Sequence, residues 1–270
     1  VDFRVRSLGY RTDFIFNRFD GSVVDRGEYL VVRTDSNPNY FWGNLLLFKQ
    51  PPSIGDLDRW RTIFRNEFTD PRVYHQTFAW DSPEGIEGAT SEFLQVGFRL
   101  EKGVCLTAST VYLPKKHHPE LVVRPISTEQ DWEDAIQIQI ACANESLSKS
   151  AWEGFYRTQM DRYRRMARES LGLWFGGWLG GKLIAGLGLF KDGTMGRYQL
   201  VSVHPSVQRR GVCGSLVYQA AQYGFQQMGL KIQVMVADED YHAARIYESV
   251  GFSPTEKMLG LCWWDKTRTS

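Results

Sequence analysis

From residue 121 onward the spacing of apolar positions switches repeatedly between two periods. LVVRPI (121–126) has the short apolar run of a strand, and Glu129–Ala143 then sets Trp132, Ile136 and Ile140 along one side, at helical spacing. A second helical stretch covers Trp152–Ala167. LGLWFGGWL and KLIAGLGLF are two apolar runs joined at Gly180-Gly181, and two residues free to take positive φ predict a β-hairpin there. RYQLVSVHP reads as a strand ended by Pro205, and Gly211–Met228 as a helix with Leu216, Val217, Ala220, Ala221, Gly224 and Met228 on one face. KIQVMVA, Tyr241–Ser249 and MLGLCWWD follow as strand, helix and strand. The predicted order is β-α-α-β-β-β-α-β-α-β, an α/β arrangement with helices covering the sheet.

The first part of the chain reads on a similar plan. GEYLVVRT and NYFWGNLLLF have strand patterning, Asp56–Phe68 turns Leu57, Trp60, Ile63 and Phe64 to one side of a helix, and RVYHQTFAW, ATSEFLQV and VCLTASTVYL continue as strand, helix and strand. Between the two regions, LPKKHHPE is charged and carries a proline near each end, the composition of a linker. This predicts domains at 1–113 and 121–270 joined by a linker at 114–120; 270 residues suffice for two cores of about 135 residues each. KKHH could also hold a metal or a phosphate, but adjacent histidines without further ligands fit a solvated linker better, and no metal site is expected. AARIYESVGF (243–252) is echoed by ATSEFLQVGF (89–98), with Ala, Gly and Phe in register and Tyr247 opposite Phe93. Together with the matching strand–helix–strand endings, the echo argues for an internal duplication.

Composition narrows the partners. A formal net charge of +1 gives no global field for nucleic acid, so any anion must be held by a local arrangement. No run approaches the roughly 18 apolar residues of a membrane span, and VDFRVRSLGYR lacks the apolar core of a secretion signal. Cys105, Cys142, Cys213 and Cys262 are widely separated, with no ligand spacing, and read as reduced thiols; a cytoplasmic location is expected.

The stretch with chemical potential is SVQRRGVCGSL (206–216). A strand that runs into a glycine-containing turn and then a helix gathers backbone N–H groups and a positive helix end at one point, which suits phosphate. Gly211 and Gly214 would let a ligand approach, and Arg209 and Arg210 add charge. Neither a P-loop nor a GxGxxG fingerprint is present. Val203-His-Pro205, then Gln208-Arg-Arg-Gly211, then Ala243–Phe252 occur in an order and at distances that resemble the GNAT superfamily of acyl-CoA-dependent N-acyltransferases. Gln208, Gly211 and Cys213 match its Q/R-x-x-G-x-G/A turn, with Cys213 a departure from the small residue at the last place. The resemblance covers roughly 121–265 and extends to 1–113 only by pattern, as in tandem GNAT proteins with one degenerate half. It implies two GNAT-like domains, each a mixed, mostly antiparallel sheet flanked by helices.

It further implies acetyl-CoA as acyl donor. Main chain of Val201, Ser202 and Val203 would pair with the pantetheine arm, and N–H groups of Arg209, Arg210, Gly211, Val212, Cys213, Gly214 and Ser215, after Gln208, would hold the pyrophosphate. Asp240 stands where the family commonly has an Asn near the cofactor, an exchange that loses a donor and adds charge. Acyl transfer to an amine needs a neutral nucleophile, an oxyanion donor and a proton for the leaving thiolate; by resemblance Val203 N–H is the donor and Tyr247 the acid. Where many members have a glutamate base this chain has Arg197, which cannot accept a proton. Glu145, Asp192, Glu239 or a water could replace it, the amine could arrive neutral, or Arg197 could bind a substrate carboxylate. The expected reaction is N-acetylation of a primary amine of a small molecule, amino acid or peptide by direct attack in a ternary complex; the alternatives are a non-catalytic acyl-CoA-binding module and a nucleotide-binding enzyme. Asp56 and Asp58 open the corresponding helix of the first half and repel phosphate, and Phe93 lacks the hydroxyl of Tyr247.

Overall fold

The computed structural model describes residues 3–143, 149–239 and 243–268. Two compact units are present: Val1–Cys105 with Asp238–Asp240 and Glu256–Ser270, and Leu106–Ala237 with Tyr241–Thr255. Each is an α/β unit whose strands pair mostly antiparallel.

The first unit begins with a helix that hydrophobic spacing does not announce, α1 (Leu8–Asp20). Its buried side includes Thr12 and Asn17 beside Tyr10 and Phe14, so the apolar stripe is broken. Ser7 caps it by accepting from Tyr10 N–H, and the Glu256 carboxylate, far along the chain, accepts from Leu8 N–H at 2.7 Å. Strands β1 (Ser22–Asp25), β2 (Tyr29–Arg33) and β3 (Leu45–Phe48) run antiparallel in turn. NYFWGN is not strand: Phe41–Gly43 form a 3-10 turn, because Asn44 accepts from Thr34 N–H and donates to the carbonyls of Asn37 and Tyr40. Helix α2 (Asp56–Glu67) crosses over to β4 (His75–Trp80), which is parallel to β3; α3 (Ser91–Gln95) and β5 (Arg99–Ala108) follow. The core is aromatic: Trp60 of α2 stacks on Phe48 at 3.8 Å, with Phe78, Trp80 and Phe93 around it.

In the second unit β6 (Val122–Pro125) precedes α4 (Glu129–Ala141) and α5 (Lys149–Arg168). Thr128 and Asp131 form a capping box at the start of α4. Arg157 forks onto Glu133 at 2.9 Å, tying α5 to α4. Strands β7 (Gly172–Leu179), β8 (Lys182–Asp192) and β9 (Met195–Val203) form the antiparallel part of the sheet, with β6 beside β7. The turn between β7 and β8 is Gly180-Gly181, at φ 55° and 79°. Helix α6 (Val212–Gln227) crosses over to β10 (Ile232–Asp238), parallel to β9, and α7 (Ala243–Val250) packs on α6. MLGLCWWD does form a strand, within β11 (Ser253–Trp264), but it belongs to the first unit, where Leu259–Trp264 pair antiparallel with Trp80–His75. Alternating side chains fix that a segment is strand but not which strand it joins.

Candidate active site

The second unit is built around a place where two parallel strands part. β9 and β10 pair only at Met195–Arg197 with Ile232–Val234. Beyond that both strands continue, β9 to Val203 and β10 to Asp238, so a crevice opens at their carboxyl ends, the usual ligand position in such sheets.

The parting has a local cause. Leu200 sits at φ 47°, and the β8–β9 register slips between Gly186 and Gly188, which makes a β-bulge. A positive φ at an aliphatic residue is strained and persists only where its surroundings hold it. Gln139 of α4, buried to 2% exposure, does so: its Nε2 donates to Leu200 O at 3.1 Å and its Oε1 accepts from Ser202 Oγ at 2.8 Å. One side chain grips both sides of the bulge.

Past the bulge, His204 N–H donates to Ile184 O on β8, so by antiparallel alternation the N–H and C=O of Val203 turn away from β8, towards the crevice. Ser202, one residue earlier, faces the other way. The Val203 carbonyl accepts from Cys142 Sγ at 3.3 Å and from Gln208 Nε2 at 3.1 Å. Through this bond Gln208, expected among the cofactor ligands, also ties the strand end to the turn that follows.

That turn is shaped by Arg209 at φ 61° and Gly211 at φ 81°, the latter the N-cap of α6. Left-handed positions within such a turn draw backbone N–H groups into one concavity. Among the described residues nothing accepts from the N–H groups of Arg209–Gly214; the first bond is Ser215 N–H to Gly211 O. Gly211 and Gly214 have a reason beyond ligand approach. A Cβ on Gly211 would lie 2.7 Å from the His117 carbonyl carbon, and one on Gly214 would lie 3.0 Å from Pro114 Cγ. The segment expected to be a solvated linker runs across the start of α6, held by His118 N–H to Ser215 Oγ at 2.8 Å. Burial pushes the Cys213 thiol up to about 12, so it stays protonated and unreactive.

Tyr247 lies on the buried side of α7 with Ala243 and Val250. The helix ends at Gly251, φ 116°, and Phe252 N–H returns to Tyr247 O at 3.1 Å. Phe252 in turn meets Tyr198 of β9 edge-on, at 5.7 Å between ring centres. Arg197, 5% exposed, is on β9 before the bulge, opposite Phe190 and Val234. Of the possible bases, Asp192 pairs with Met195 at the other end of β9, more than about 20 Å of strand away from Val203. Glu239 is in the first unit and pairs with Lys257. Glu145 and Asp240 lie outside the described residues. Among the described residues there is no cluster of three or more metal-binding side chains, and no helix is long and apolar enough to cross a membrane.

Residues 132–252, which span this crevice, turn and helix, match the family described as Acetyltransferase (GNAT). The match covers 121 of the 270 residues and marks a likeness of this segment to that family. The structural relatives agree on the fold. A functionally unknown conserved protein from Staphylococcus epidermidis superimposes with a TM-score of 0.68 at 12% identity, over 92% of this chain and 95% of that one. A GCN5-related N-acetyltransferase from Kribbella flavida gives 0.63 at 14% identity, over 95% and 96%. A tandem GNAT protein from the clavulanic acid biosynthesis pathway gives 0.52 at 11%, over 82% and 80%. No curated protein matches the sequence.

Proposed function

We propose that the second half of the chain, residues 121–270, is an acetyl-CoA-dependent N-acetyltransferase acting on a primary amine, and that residues 1–113 are a GNAT-like half without catalysis. The observation that carries this reading is the conjunction in one unit of a crevice between β9 and β10 with a turn whose N–H groups have no acceptor among the described residues. Acetyl-CoA, when bound, supplies an acyl thioester. N–H groups of Arg209–Gly214 would take the pyrophosphate charge, with the Arg209 and Arg210 side chains beside them. The edge of β9 at Val201–Val203, beyond its pairing with β10, offers a ladder for an amide-bearing chain. Val203 N–H, turned to the crevice, would stabilise a developing oxyanion, and Tyr247 O–H would deliver the proton to the departing thiolate.

No carboxylate base stands on β9, so the acceptor amine arrives neutral, or gives its proton to water or to Glu145, which lies outside the described residues. Arg197 is the group an acceptor carboxylate would meet, which favours amino-acid-like or peptide acceptors. The buried cation in the base's place is also the one observation favouring a binding module that does not turn over. The experiment is thiol release from acetyl-CoA over a panel of amines, amino acids and peptides. Turnover of an acceptor that Tyr247→Phe abolishes supports the enzyme; acetyl-CoA binding without turnover on any acceptor supports the module.

A further inference from the structure

The segment 110–121 is a strap on the second unit. Tyr112 N–H donates to Val250 O at the end of α7, Pro114 and His117 press on Gly214 and Gly211 at the start of α6, His118 N–H bonds Ser215 Oγ, and Leu121 O accepts from Gln219 Nε2. His117 Nδ1 lies 3.1 Å from Pro114 O, bracing the bend between them. The bend holds Lys115 and Lys116 beside the turn that carries Arg209 and Arg210, about ninety residues away in sequence. All four cations are exposed, and among the described residues none has a carboxylate partner. On α5 of the same unit, by contrast, Arg157 is paired with Glu133 and Glu153 and Arg165 with Asp161. The buried Nδ1 of His118, in the same bend, has no hydrogen-bond partner among the described residues. Four unpaired cations gathered from two segments, in a chain of net charge +1, mark a site for a multiply charged anion.

We propose that Lys115 and Lys116 hold the 3′-phosphate of coenzyme A and so set the preference for the donor. This rests on the acyl-CoA reading of the crevice. A pyrophosphate at the turn uses the N–H groups of Arg209–Gly214, which leaves the ribose phosphate monoester as the one other dianionic group on the molecule. The strap passes over Gly211 and Gly214, so its two lysines stand in the chain directly beside that turn. Tandem organisation thereby acquires a chemical role: the connection between the halves is part of the cosubstrate site.

The test is calorimetric titration of the full chain with coenzyme A and with 3′-dephospho-coenzyme A, for the wild type and for Lys115→Gln/Lys116→Gln. The wild type should prefer coenzyme A by about tenfold or more. The double variant should lose that preference while its affinity for the dephospho form stays within about twofold, and its melting temperature should not move because both side chains are exposed. Equal wild-type affinity for the two ligands, a variant that weakens both alike, or a variant that keeps the preference would each overturn the proposal. Binding of neither ligand by the wild type would instead remove the acyl-CoA reading, and this inference with it.

Discussion

The strand–helix–strand β3–α2–β4 of the first unit and β9–α6–β10 of the second have the same layout and opposite interiors. Both are parallel pairs bridged by a helix that starts from a left-handed glycine, Gly55 at φ 86°, ψ 0° and Gly211 at φ 81°, ψ 2°. In the first, β3 and β4 pair to their ends, and Asp81 N–H extends the ladder to Phe48 O. In the second, the bulge at Leu200 parts the strands. The turns differ in the same sense. Ser53 N–H donates to the Asp56 carboxylate at 2.9 Å and Gly55 N–H to the Glu92 carboxylate at 3.1 Å, so the chain's own anions occupy the first turn. Among the described residues the second turn has no carboxylate partner, and four cations lie on it and on the strap beside it. A shared frame survives while the binding site depends on two local decisions: whether a strand bulges, and what satisfies a handful of N–H groups.

The repeated segment belongs to the frame. Phe98 N–H returns to Phe93 O at 3.0 Å as Phe252 N–H returns to Tyr247 O at 3.1 Å, and Gly97 and Gly251 both take positive φ. Ala, Gly and Phe are thus kept to stop and seat a helix. What differs is the ring: Phe93 is fully buried among Trp60, Phe78 and Phe98, where a hydroxyl would need a partner.

The largest expected effect falls on that difference. Tyr247→Phe should slow thiol release by about a hundredfold or more with acetyl-CoA affinity nearly unchanged, whereas Phe93→Tyr should add no activity and lower the melting temperature. Next comes acid sensitivity of the sealed half. Burial pushes His75, in contact with Thr77 Oγ1 and Phe41, down to about 3. Because its folded value lies below the unfolded 6.5, the contribution is complete above pH 6.5. It is lost as pH falls from there towards 3, at about 1.4 kcal/mol per unit. Denaturant titrations of wild type and His75→Phe across that range should diverge in slope.

A smaller effect tests the bulge. Gln139→Leu strands Leu200 O and the Ser202 hydroxyl, which costs about 1–3 kcal/mol. If the bulge holds the crevice open, turnover should fall by about tenfold through kcat and acetyl-CoA affinity should fall too; a loss of stability with unaltered kinetics would leave Gln139 no part in shaping the site. Smallest of all, Asp56→Asn with Glu92→Gln should create no second acetyl-CoA site in calorimetry, because β3 and β4 remain zipped behind the emptied turn.

Much of the second half was legible in the sequence because its periods are clean and its turns carry glycine, as at Gly180-Gly181. Helix α1 escaped because Thr12 and Asn17 interrupt its buried side and its N-terminus is satisfied by Glu256, a partner no local window contains. The motif residues led to the turn, but two parts of the site were hidden. LVSV reads as unbroken strand, so the bulge that makes the crevice has no sequence mark; its clamp, Gln139, looks like any polar helix residue. LPKKHHPE has linker composition, yet the glycines of the turn exist partly to let its backbone pass.

Each chain is expected to hold one acyl-CoA site, at the open turn and not at the filled one. Amide hydrogen exchange with and without acetyl-CoA reads this directly. Protection should appear at Arg209–Ser215 and Val201–Val203 and be absent at Ser53–Asp58. No change at the second turn, or equal protection at both, would contradict it.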